Sequence, residues 1–133
     1  MDKFFDIERY KDRVALIDEY NGKFTYADLF KIGSKLYSAQ KNTFTKNLIF
    51  ILCKNNFETI TGYVTFLKKN SAVLLLNANI DEKGLKKLVK IYRPNYIYGE
   101  REKLKFLKKT ITHVIGSYIL IDLNFKNNVK LNN

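Results

Sequence analysis

With 133 residues, 46% of them apolar, the chain is long enough for one domain with a real core, and disorder is excluded as its default state. No apolar stretch approaches the roughly 20 residues of a membrane span, and the opening MDKFFDIERYKDR mixes acids and bases without the apolar centre of a secretory signal. The net charge of +11 would suit a polyanion, but only Arg9, Arg13, Arg93 and Arg101 are arginines and the other 20 bases are lysines. Nucleic-acid surfaces favour Arg for its bidentate contacts, and abundant Lys, Asn, Ile, Phe and Tyr share A/T-rich codons, so nucleic-acid binding is disfavoured.

Residues 1–13 read as a polar lead-in with a helical turn, where Phe4, Phe5 and Ile7 can pack. Val14–Asp18 is a short strand. Asn21-Gly22 tolerates φ > 0 at both positions and signals a hairpin, with Lys23–Tyr26 returning. A helix begins at Thr25. Asp28 lies three residues on, a capping-box spacing in which the hydroxyl accepts from the Asp28 amide and the carboxylate reaches back. Leu29, Ile32, Gly33, Leu36 and Ala39 form the buried stripe; Lys31, Lys35 and Lys41 are its solvated side. Gly33 costs about 1 kcal/mol in helix propensity, which marks close packing. Asn42–Asn47 is a loop.

The stretch Leu48–Asn77 organises the rest. Leu48–Cys53 and Ala72–Leu76 are continuous apolar runs, the pattern of strands buried on both faces. Between them Phe57, Ile60, Thr61, Val64 and Leu67 recur at helical spacing, Asn55 or Asn56 caps the helix, and Glu58 suits its positive end. This is a βαβ unit. Asp81 caps a third helix with Leu85, Leu88, Val89 and Tyr92 inward and Lys83, Lys86, Lys87 and Lys90 outward; Pro94 stops it. Asn95–Gly99 is a further parallel strand. Glu100–Thr110 reads as a short helix with Leu104 and Leu107 inward, and His113–Asp122 as one strand broken near Gly116-Ser117, or two. The fold class is α/β: a mostly parallel sheet with helices on both faces, preceded by a short β-hairpin. Residues 1–133 form a single domain, and 124–133 are a polar tail expected to fray.

No catalytic constellation is legible, and no residue is assigned a catalytic, cofactor-binding or metal-binding role. His113 opens a strand beside Val114 and Ile115 and reads as structural. Cys53, the only cysteine, ends a buried strand and reads as a small hydrophobe despite its neighbour Lys54. A lone thiol forms no internal disulfide and makes a cytoplasmic location the economical expectation. The acid pairs Asp18/Glu19, Asp81/Glu82 and Glu100/Glu102 fall at turns and caps, where charge is normally solvated. The six glycines are isolated, so no phosphate-binding loop is present.

Two segments carry a resemblance. Phe24-Thr25-Tyr26-Ala27-Asp28-Leu29 resembles the (L/F)TYxEL signature of the adenylate-forming superfamily, which comprises acyl-CoA synthetases, luciferases and peptide-synthetase adenylation domains. Leu67–Asn77 resembles that superfamily's LKAGxAYVPLD/N motif, with Lys69-Asn70 for Ala-Gly, Val73 for the aromatic and Leu75 for the proline. VALID before the hairpin, Asn55-x-x-Glu58, the helix start at Asp81–Leu85 and Arg93–Ile97 agree in order and spacing. The resemblance implies the N-terminal subdomain of an AMP-forming ligase that activates a carboxylate with ATP and passes it to a thiol. ATP, Mg and coenzyme A or a phosphopantetheine carrier then belong to the full-length parent, and this chain alone is inactive. The implied partners are the remainder of the ligase and, through exposed apolar surface, a second copy. The alternative readings are a small basic α/β module that binds a protein or nucleic acid, with residues 83–90 and 101–109 as its footprint, and a free-standing enzyme of flavodoxin-like shape.

Overall fold

The computed structural model describes residues 8–19, 22–40 and 46–124. Asn21, the packing of Phe4, Phe5 and Ile7, Lys41, most of the Asn42–Asn47 loop and the tail beyond Asn124 lie outside these residues.

A 3-10 turn, Glu8–Tyr10, leads into an antiparallel pair, β1 (Val14–Asp18) and β2 (Gly22–Thr25). Helix α1 (Tyr26–Ala39) follows directly. Thr25 accepts from the Asp28 amide at 3.1 Å and donates its own amide to Asp28 Oδ2 at 2.8 Å, so the capping box is complete. Tyr26 is the first helical residue and not the last of the strand. Strand β3 (Leu48–Cys53), helix α2 (Phe57–Lys68) and strand β4 (Ala72–Asn77) form the expected βαβ unit. Helix α3 (Glu82–Tyr92) and strands β5 (Tyr96–Glu100), β6 (Thr110–Ile115) and β7 (Tyr118–Asp122) complete the chain.

The five-stranded sheet runs β4-β3-β5-β7-β6. It is mixed: β3 pairs parallel with β4 and β5, whereas β5–β7 and β7–β6 are antiparallel. The parallel half follows the βαβ unit. The antiparallel half arises because Gly116-Ser117 is a two-residue hairpin turn, with Gly116 at φ +54°, so His113–Asp122 spans two strands.

Strand β3 is internal, flanked by β4 and β5, and its continuous apolar run has a direct cause. Ile49 and Ile51 point to a core under α1 and α2, with Leu36, Phe57, Phe66, Tyr98 and Tyr118. Phe50 and Leu52 point to a second core, where Leu85 of α3 and Leu104 pack. Helices thus cover both faces, as expected. Helix α1 lies against α2 at Gly33, where a β-carbon would collide with the Thr65 hydroxyl.

Several expectations are corrected. In α2 the buried side is Phe57, Glu58, Thr59, Thr61, Gly62, Thr65 and Phe66, while Ile60 is exposed. Apolar periodicity finds Phe57 and Thr61 but misplaces Ile60 and misses Gly62, Thr65 and Phe66, because the small residues Thr61, Gly62 and Thr65 are the ones that fit against α1 and Tyr98. Strand β4 is not buried on both faces; it is a sheet edge, and Leu75 is 52% exposed. Tyr92 is half exposed, with its ring edge-on to Phe50. Residues 101–106 form successive turns and no helix, closed by i→i+3 bonds such as Lys103 N–H to Glu100 O; Leu104 is nevertheless buried. Asp18 is buried, not solvated.

Candidate functional site

In open α/β sheets ligands bind beyond the carboxyl ends of the strands, where successive connections leave in opposite directions. Here that point lies between β3 and β5, since the chain passes from β3 to β4 on one side and then to β5 on the other. The chain's own side chains fill it. Lys54, just after β3, pairs with Glu100 at the end of β5 at 2.7 Å. Beneath them the Tyr118 hydroxyl donates to Leu52 O at 2.8 Å and lies 3.1 Å from Thr59 Oγ1, which accepts from the Lys54 amide. The Tyr98 hydroxyl donates to Glu58 O at 2.7 Å. Glu58 Oε2 accepts from the Ser117 hydroxyl at 2.8 Å, and Oε1 is buried without a hydrogen-bond partner among the described residues.

The N-terminus of α2 opens onto the same place, and two of its first-turn amides are already used. Phe57 N–H donates to Asp18 Oδ2 at 2.9 Å, and Thr59 N–H to Asn56 Oδ1 at 2.9 Å. Two carboxylates, Asp18 and Glu58, stand at the positive end of the helix. A helix end occupied in this way does not fit a triphosphate, so no step involving ATP is assigned to these residues.

The titratable groups are set for structure. Burial raises Tyr98 well above the usual phenol range, with Glu58 and Tyr118 adding to it. Burial also raises Tyr118 and the Cys53 thiol. All three are neutral near pH 7, and Cys53 is no ready nucleophile. His113 lies apart, in a groove of about 380 Å³ between α1 and the β6–β7 hairpin, lined by Lys31, Lys35 and Phe57. Burial, then the Lys35 charge, lowers its pKa. A second groove, of about 210 Å³, lies between α1 and α2 beside Phe30, Tyr37 and Lys68. Among the described residues no cluster of three or more His, Cys, Asp or Glu side chains could hold a metal, and no helix is long and apolar enough to cross a membrane.

Sequence reasoning reads Asp18 as a solvated acid of the Asp18/Glu19 pair and Glu58 as a helix-dipole partner and motif match, and it gives Tyr98 and Tyr118 no role. The Asn55-x-x-Glu58 match and the paired tyrosines of NYIYG were the available signals.

The fold is shared with solved structures of adenylation domains and of a luciferase-like enzyme, the fold that the resemblance led one to expect. Among solved structures, the Klebsiella oxytoca NpsA N-terminal subdomain in complex with 3-hydroxyanthranilyl-AMSN matches with a TM-score of 0.60 at 24% identity, over 71% of this chain and 25% of that one. The luciferase-like enzyme from the nonluminescent mealworm Zophobas morio matches at 0.66 and 20% identity, over 78% and 26%. The Vibrio cholerae adenylation domain AlmE in complex with glycyl-adenosine-5'-phosphate matches at 0.64 and 13% identity, over 74% and 18%. At these identities the likeness is one of fold, and the chain spans about a quarter or less of each structure. No family model and no curated protein matches the chain.

Proposed function

We propose that the chain is the N-terminal portion of an ATP-dependent adenylate-forming ligase, one that activates a carboxylate as its acyl-adenylate for transfer to the thiol of coenzyme A or a carrier pantetheine. The observation that supports this best is the backbone at Asn70. The resembling motif has glycine there, and Asn70 keeps the left-handed conformation, φ +66°, that a glycine would supply. It lies in a complete helix stop: Asn70 N–H donates to Leu67 O and Ser71 N–H to Phe66 O, both at 2.9 Å. The departure in sequence therefore preserves the shape of the segment.

On this reading residues 1–133 are one scaffold unit in the cytoplasm. ATP, Mg and the thiol acceptor are held by later parts of the parent, and this chain alone forms no adenylate. The test is carboxylate-dependent ATP–pyrophosphate exchange, by this chain alone and mixed with the product of the coding sequence immediately downstream. Exchange only in the mixture is expected. Exchange by the chain alone, or none in the mixture across a broad carboxylate panel, overturns the proposal.

A further inference from the structure

Strands β3 and β4 run parallel in unbroken register from Leu48 opposite Ala72 to Cys53 opposite Asn77. Ala72 N–H donates to Asn47 O and Ala78 N–H to Cys53 O. Even-numbered residues of β4 therefore turn their backbone groups toward β3, and Val73, Leu75 and Asn77 turn theirs to the open side, where Asn77 O also accepts from Ile80 N–H at 3.0 Å and keeps one lone pair for a further donor. No described strand pairs there.

The two sheet edges are built differently. Strand β6 is broken by an irregularity between Ile111 and His113 and follows Lys108-Lys109, features that discourage edge pairing. Strand β4 has no charge, no proline and no bulge. The helix above it is similarly bare. Thr61 and Thr65 of α2 lie near Gly33 of α1, which leaves Ile60, Val64 and Leu67 on the side away from α1. Although the chain carries 24 bases, residues 55–67 and 70–80 contain none. Through this face a second copy of so basic a chain meets no like charge at the contact.

We propose that β4 pairs antiparallel with β4 of a second copy, Leu75 opposite Leu75 and Val73 opposite Asn77, joining two sheets into one. The register follows from the backbone: only outward-facing residues can exchange hydrogen bonds, and a two-fold axis at Leu75 uses all three. Leu75 then meets its own copy, and the Ile60–Leu67 stripe flanks the seam. This inference goes beyond the ligase reading and does not rest on it.

The test is sedimentation of the full chain from about 1 to about 100 μM, a range that resolves micromolar association, with amide hydrogen exchange at both ends. A reversible dimer is expected, with slower exchange at Val73, Leu75 and Asn77 as concentration rises. Leu75→Lys, at an exposed site, weakens association by about tenfold or more with the circular dichroism unchanged, and Val114→Lys on β6 leaves association unaltered. A monomer at the highest concentration, dimerisation of Leu75→Lys equal to that of the parent, or unchanged exchange at those three amides overturns it.

Discussion

Asp18, at the end of β1, accepts a 2.9 Å hydrogen bond from the backbone N–H of Phe57, the first residue of α2. The contact joins the N-terminal hairpin to the helix over the central strands. It also satisfies an amide that no residue within the helix can reach. Asp18→Ala leaves that buried amide unpaired and is expected to cost about 1–2 kcal/mol. Asp18→Asn keeps an acceptor oxygen and costs roughly half as much. Urea unfolding of the three proteins, followed by circular dichroism, measures both values.

Gly33 and Thr65 set how closely α1 and α2 approach. A methyl group on residue 33 gains helix propensity worth about 1 kcal/mol, yet collides with the Thr65 hydroxyl. Overpacking of this kind costs about 1–3 kcal/mol. Gly33→Ala is therefore expected to destabilise on balance, and Thr65→Ala, by removing the obstructing oxygen, restores part of the loss. A double-mutant cycle by urea denaturation detects the coupling; strictly additive effects would refute the contact.

Asn70 adopts φ +66° at the end of α2. Asn enters this region readily, and a β-branched residue does not. Asn70→Gly is expected to lie within about 0.5 kcal/mol of the parent, and Asn70→Val to lose about 1–2 kcal/mol. Thermal unfolding midpoints rank the three, and a Val variant as stable as Asn would exclude the left-handed stop.

The features that could be read in advance are those settled within a few residues. Thr25 and Asp28 form their capping box, Asn56 and Asp81 cap their helices, and α3 ends before Pro94, because each depends on neighbours three or four positions away. The unread features depend on distant partners. Leu75 has the same sequence signature as a core strand residue; only the strand order exposes it. Thr61 looks like a weak member of an apolar stripe, and Thr65 lies outside it, until Gly33 is brought against them. Asp18 and Glu58 look like surface acids until Phe57 and Ser117, far along the chain, supply their donors. The polar cluster at the strand ends was invisible for the same reason: Lys54, Glu58, Tyr98 and Tyr118 meet only through the sheet.

Tyr98 makes the fold sensitive to alkali. Its hydroxyl donates to Glu58 O at 2.7 Å, and burial, Glu58 and Tyr118 hold its pKa well above the usual value of 10.0. The unfolded chain loses this proton near pH 10, whereas the folded chain retains it. The unfolded state then binds fewer protons, so stability is intact below pH 10 and falls as pH rises through the folded value. Tyr118, also raised, adds a slope of the same sign, and Lys69, lowered by burial, opposes both. Comparing Tyr98→Phe with the parent isolates the Tyr98 contribution. At pH 8 the variant is expected to be less stable by about 1 kcal/mol, the value of the lost hydrogen bond. Above pH 10 the parent's disadvantage from ionisation grows and the gap narrows. Urea midpoints from pH 8 to about pH 11 follow the two curves; a constant separation would mean that Tyr98 ionises alike in both states.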